Sequence, residues 1–207
     1  MKLHLSLLSI AVLCATTAQA STVDLQVQGT IVPASCTIGL TNGGVINLGQ
    51  IDLATLSDVA DNPRTAQNID VTISCGSAAK VATIVTDNRT GTASTADNAN
   101  FGLNNTSGGN PFGFYKVFAE NGLADSVAAT VIGSTNATSW VSPAGGVPVE
   151  HGNAKYTSVG DTTTGPASAA TIGWTLRIEP TIASRSSMGI TRIEPIDGMM
   201  TLTLVYL

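Results

Sequence analysis

Apolar residues recur at every second position along most of this chain, and that period limits its fold more than any other feature. Val23, Leu25 and Val27 alternate with Asp24, Gln26 and Gln28. The same reading predicts strands at Thr30-Ile31-Val32, at Val45-Ile46-Asn47-Leu48 and at Ile69-Asp70-Val71-Thr72-Ile73. Further strands are expected over residues 81–85, 112–118, 128–132, 172–178 and 200–207. A strand sends successive side chains to opposite faces, so each of these segments has one face suited to a core. Turn signals separate them: Asn42-Gly43-Gly44, Asp87-Asn88, Gly108-Gly109-Asn110-Pro111, Asn121-Gly122 and Asp197-Gly198. Helical signals are scarce; residues 53–60 suggest a turn or short helix that Asn62-Pro63 ends. Two polar stretches, 86–100 and 133–170, are expected to be loops or edge hairpins, and no internal repeat is visible. The expected class is an all-β sandwich rather than a helical bundle or an α/β fold.

Residues 1–20 read as a secretory signal peptide. Lys2 gives a basic start, residues 5–13 an apolar run, and Ala18-Gln19-Ala20 a cleavage site that leaves Ser21 first. The run is shorter than the about 20 apolar residues a membrane span needs, and nothing in the mature chain could span one. Cys14 raises a lipoprotein signal, but Leu13 stands before it where a small residue is expected. Export leaves Cys36 and Cys75 in an oxidising compartment, where a disulfide is the default and two buried thiols the alternative. Closing a loop of that length contributes about 4 kcal/mol in the chain-entropy model. Only 11% of residues are charged and the net charge is -5, which argues against nucleic acid or anionic lipid as partners. With 43% hydrophobic residues the chain is not disordered.

Gly29-Thr30-Ile31-Val32-Pro33-Ala34-Ser35-Cys36 resembles the opening of chaperone–usher pilin domains: a glycine, alternating apolar residues, small residues, then a first cysteine. Leu48-Gly49-Gln50-Ile51 and Ile69-Asp70-Val71-Thr72-Ile73-Ser74-Cys75 look like the next landmarks of that family. Gly113-Phe114-Tyr115-Lys116-Val117-Phe118, followed by Asn121-Gly122, resembles a middle strand and its turn. The last strand, with Tyr206 penultimate, resembles the terminal strand that pilin chaperones grip. The N-terminal pattern and the Asp197-Gly198 pair are also similar to an uncharacterised fimbrial-like family of exported bacterial proteins. Glu194 and Pro195 stand in the region where pilins usually carry a glycine.

The resemblance implies an immunoglobulin-like, pilin-type β-sandwich that lacks one strand and is completed by strand donation. A periplasmic chaperone would fill the gap first, and another subunit's N-terminal extension would replace it at the outer-membrane usher. Residues 21–28 would then be an extension whose donor face is Val23, Leu25 and Val27, and residues 29–207 the pilin-like domain. The alternative is that 23–32 forms one long first strand of the same domain. Met200, Leu202, Leu204 and Tyr206 share one face of the last strand and would form the edge read by chaperone and usher. The expected function is a structural subunit, major or minor, of a surface fimbrium supporting adhesion. The alternative is a self-folding secreted or periplasmic adhesive or carbohydrate-binding module.

No enzyme chemistry is expected. His151 is the sole histidine after residue 20, so a histidine-rich metal site cannot form within one chain. Gly-x-Ser-x-Gly does not occur, and Gly108-Gly109 lacks the lysine and helix of a phosphate loop. Asp58 and Asp61 hint at calcium without its spaced acidic loop, and read as solvated acids. Asn88, Asn104, Asn105 and Asn136 fit Asn-x-Ser/Thr by coincidence of loop composition. Trp174 is expected in the core, and Trp140 under a loop, with sugar stacking the rival role. No cofactor, metal or catalytic residue is therefore assigned.

Overall fold

The structure is a computed structural model and describes residues 23, 25–29, 35–152 and 155–207. The signal peptide of 1–20 and the strand expected at Thr30-Ile31-Val32 lie outside these residues. The chain divides into two units, Met1–Val32 and Pro33–Leu207. In the first, Val23, Leu25 and Val27 belong to no strand and are 94%, 90% and 88% exposed.

The second unit is an all-β sandwich of two antiparallel sheets. Its strands are β1 (Cys36–Leu40), β2 (Asn62–Pro63), β3 (Gln67–Ala79), β4 (Val81–Asp87) and β5 (Phe101–Gly102). They continue with β6 (Gly113–Ala124), β7 (Val127–Ala128), β8 (Thr130–Ser134), β9 (Val147–Val149) and β10 (Tyr156–Asp161). The last three are β11 (Gly165–Pro166), β12 (Ala169–Ile182) and β13 (Met200–Tyr206). One sheet runs β1-β3-β12-β6-β5, with β2 on β12 and with β7 and β9 on β6; the other runs β11-β10-β4-β13, with β8 on β10.

Alternation becomes burial most fully in β12, where Ile172, Trp174, Leu176, Ile178 and Ile182 all face the core. Ile69, Val71 and Ile73 of β3 meet them from one side, and Tyr115, Val117 and Ala119 of β6 from the other. Cys36 and Cys75 are direct partners in the β1–β3 ladder and are joined by a disulfide.

Several local expectations need correction. Val45-Ile46-Asn47-Leu48 is not a strand, because no neighbouring strand offers it a ladder; its Ile46 and Leu48 turn inward from a loop. Asn121-Gly122 does not reverse the chain. Both residues lie within β6 opposite Trp174 alone, making a β-bulge with Asn121 at φ 55°. The reversal falls at Asp125-Ser126, both at positive φ, as a two-residue hairpin requires. The Asp125 carboxylate accepts the Ala170 and Thr171 amides at 2.9 and 2.8 Å, which ties that hairpin to β12. The stretch 133–170 holds β10, an interior strand of the second sheet. Its Thr157 and Ser158 are buried, and the Ser158 hydroxyl donates to the Val81 carbonyl at 2.5 Å, so polarity hid a core strand. Asn62-Pro63 closes a 3-10 turn region by pairing with β12 rather than merely ending a helix.

Candidate functional site

At one end of each sheet, β1 and β13 each pair with one neighbour among the described residues, β1 with β3 and β13 with β4. In an antiparallel ladder alternate residues exchange both backbone bonds, while those between them point outward. The register pairs Met200 with Asp87, and the Asn88 amide donates to the Met199 carbonyl at 2.9 Å. At the other end the Leu207 amide donates to the Lys80 carbonyl at 3.0 Å. The odd-numbered residues of β13 therefore bond to β4. The amides and carbonyls of Met200, Leu202, Leu204 and Tyr206 face the open edge.

The same even-numbered residues carry the apolar face. Met200, Leu202 and Leu204 pack against the core without being fully buried. Tyr206 departs from the expected core-facing position. It is 51% exposed, and its hydroxyl accepts the Cys36 amide at 2.8 Å.

Beside this edge lies a cleft of about 1350 Å³. One wall is Leu40 at the end of β1 and the loop that follows it to residue 53, which joins no ladder and turns Ile46 and Leu48 inward. The other wall is residues 190–200 together with Leu202. The floor is apolar: Leu56, Ile69, Leu176, Ile178, Ile182 and Met188. Tyr115 also lines it, stacked on Phe101 with ring centroids 5.2 Å apart. Burial pushes the Tyr115 phenol well above its ordinary range, with nearby Asp87 adding to the shift, so the ring stays neutral.

The second wall is pinned rather than woven into a sheet. Glu194 accepts the Ser107 hydroxyl and the Ser107 amide, each at 2.6 Å, and these bonds hold its carboxyl below the usual range. Asp197 pairs with Arg89, whose Nε also donates to the Asp197 carbonyl at 3.1 Å. Gly198 lies close against Leu103 and Tyr115, where an added Cβ would come within 2.9 and 3.0 Å of their side chains.

The remaining candidates are structural. Trp174 is buried in the main core, and Trp140 packs with Ala82 and Ile132 in a small second cluster. His151 is partly buried; its Nε2 lies 3.0 Å from the Asn100 carbonyl and its ring meets Phe101 edge-on. Asp58 is bound by Arg185 at 2.5 and 2.6 Å, and that guanidinium lowers its pKa. Among the described residues no three His, Cys, Asp or Glu side chains converge on a metal position, and no helix is long and apolar enough to cross a membrane.

Sequence reasoning identified Cys36 and Cys75 as a disulfide pair and the inward face of the last strand at Met200, Leu202 and Leu204. It took residues 45–48 of the loop wall for a strand and missed the 190–200 wall, whose apolar residues do not alternate. The signal available was the isolated apolar residues Ile190, Ile193 and Ile196 in a Pro- and charge-containing stretch. Residues 25–115 match a family model described as "Protein of unknown function (DUF1120)", a match covering less than half of the chain. No curated protein matches the chain.

Proposed function

We propose that this protein is a strand-accepting structural subunit of a bacterial surface fimbrium. The observation that carries the reading is the open edge of β13 beside an apolar cleft. Such an edge presents a row of unpaired backbone groups, which is an aggregation hazard unless another strand covers it. An added strand would take its main-chain bonds from Met200 and Leu202 and place alternate apolar side chains on the cleft floor. Pairing supplies affinity, and the side chains that fit the floor supply choice and register.

The occupant is an extended segment with apolar residues at every second position. Val23, Leu25 and Val27 have that pattern and are exposed, so the N-terminal extension of another subunit is the occupant in the fibre. Before assembly a periplasmic chaperone strand fills the same cleft, and the outer-membrane usher exchanges one for the other. The disulfide fits an oxidising compartment and therefore passage through the periplasm to the cell surface.

The test is periplasmic co-expression with a pilus chaperone encoded beside this protein, followed by co-purification. A stable one-to-one complex is expected, together with aggregation or slow refolding of the protein alone. Leu202→Ser is expected to abolish the complex while Thr203→Ser, on the exposed face, leaves it intact. A monomer that refolds rapidly without any chaperone would instead favour the self-folding adhesive module.

A further inference from the structure

The cleft does not run the length of β13. Its walls include Leu40 on the β1 side and Met200 and Leu202 on the β13 side, but not Cys36, Ile38, Leu204 or Tyr206. It ends at Leu40 and Leu202; past Ile38 and Leu204, the Tyr206 hydroxyl accepts the Cys36 amide at 2.8 Å.

The origin of that contact is in the β1–β3 register. The Gly76 amide donates to the Ser35 carbonyl at 2.9 Å, so residues 35 and 76 form a hydrogen-bonded pair. The adjacent pair, Cys36 and Cys75, is then a non-hydrogen-bonded one, with the Cys36 amide turned to the open edge of its sheet. Ile38 and Leu40 are turned the same way, and among the described residues neither amide has a partner. Cys36 alone is capped, by a side chain from the open edge of the opposite sheet. The disulfide holds Cys36 on β3, so the donor cannot drift away from the hydroxyl.

We infer that Tyr206 is a specificity-determining residue: its hydroxyl latches the two open edges together through the Cys36 amide and limits the length of strand the cleft admits. The latch is a property of this chain alone; its effect on strand length rests on the strand-accepting reading. With the latch shut, an added strand pairs with β13 at Met200 and Leu202. With it open, pairing extends toward Leu204 and Tyr206, roughly doubling the ladder.

Residue-resolved amide hydrogen exchange on the disulfide-bonded protein tests the latch without any substitution. The Cys36 amide is expected to exchange at least tenfold more slowly than those of Ile38 and Leu40. Equal rates overturn the latch. Tyr206→Phe, which keeps the ring, is expected to speed the Cys36 amide at least tenfold and leave the amides of Thr37 and Gly39, which face β3, unchanged. An unchanged Cys36 rate also overturns it. The probe for length is a synthetic peptide of residues 21–32. It is expected to leave the Tyr206→Phe protein at least fivefold more slowly than the original protein, and equal dissociation overturns the limit on length. If neither protein takes up the peptide, strand acceptance itself fails, and the exchange rates still decide the latch.

Discussion

Strands β12 and β13 carry the same alternating sequence pattern and meet opposite fates. In β12, every second residue from Ile172 to Ile182 is buried, and both edges are paired, with β3 and with β6. In β13, Met200, Leu202 and Leu204 are only half-buried, and one edge has no partner among the described residues. A period of two selects which face of a strand goes inward. It does not select how many neighbours the strand has, because backbone bonds lie in the plane of the sheet and are independent of the side-chain pattern. The contrast teaches that the unfinished part of this molecule is an edge, not a poorly hydrophobic segment.

The sharpest way to break the comparison is truncation of one large side chain in each strand. Trp174→Ala removes a fully enclosed ring and is expected to cost about 3–5 kcal/mol in denaturant unfolding of the oxidised protein. A cost below about 1 kcal/mol would mean that β12 is not the closed half. Next in size is the disulfide. Cys36→Ala with Cys75→Ala is expected to cost about 4 kcal/mol by the loop-entropy argument, read as a lower denaturation midpoint with a steeper slope, since the unfolded chain is no longer cross-linked. The substitution also frees β1 at the open side, so loss of Cys36-region protection should exceed loss at β12.

Leu202→Ala is expected to cost only about 1 kcal/mol in the isolated protein, since the side chain is already partly exposed. The cost should rise severalfold once a strand covers the cleft, measured as the difference in melting temperature with and without a bound strand. An unchanged cost would show that the bound strand does not reach Leu202.

The smallest effect concerns the pinned wall. The Ser107 hydroxyl and amide favour the ionised form of Glu194 and depress its pKa, so the wall's extra stability is present above the ordinary glutamate pKa of about 4.3. It is lost as pH falls through the lower folded value. The Ser107 amide resonance should therefore titrate with a midpoint below the ordinary value, and Glu194→Gln should remove that titration without unfolding the sandwich. A midpoint at the ordinary value would mean that the wall is not held by this carboxylate.

Legibility followed periodicity. The β3, β6, β12 and β13 segments could be read because an uninterrupted apolar face leaves few alternatives. β10 could not, because its buried Thr157 and Ser158 satisfy their hydroxyls inside the sandwich, a solution that composition records only as polarity. Asn121-Gly122 was read as a turn because the pair favours positive φ; a bulge needs that conformation as much as a hairpin does. Ile46 and Leu48 alternated like a strand but gained no neighbour, and they serve a loop wall instead.

By itself, the sequence determined the all-β class, the two half-cystines and the face that β13 turns inward. These depend on side-chain period and on residue chemistry, both of which are local. The tertiary structure alone decided that β13 is an edge, that residues 40–53 and 190–200 wall a cleft beside it, and that Tyr206 caps Cys36. Those outcomes depend on which strands come to lie next to one another across more than a hundred residues, and no local pattern encodes a neighbour that distant.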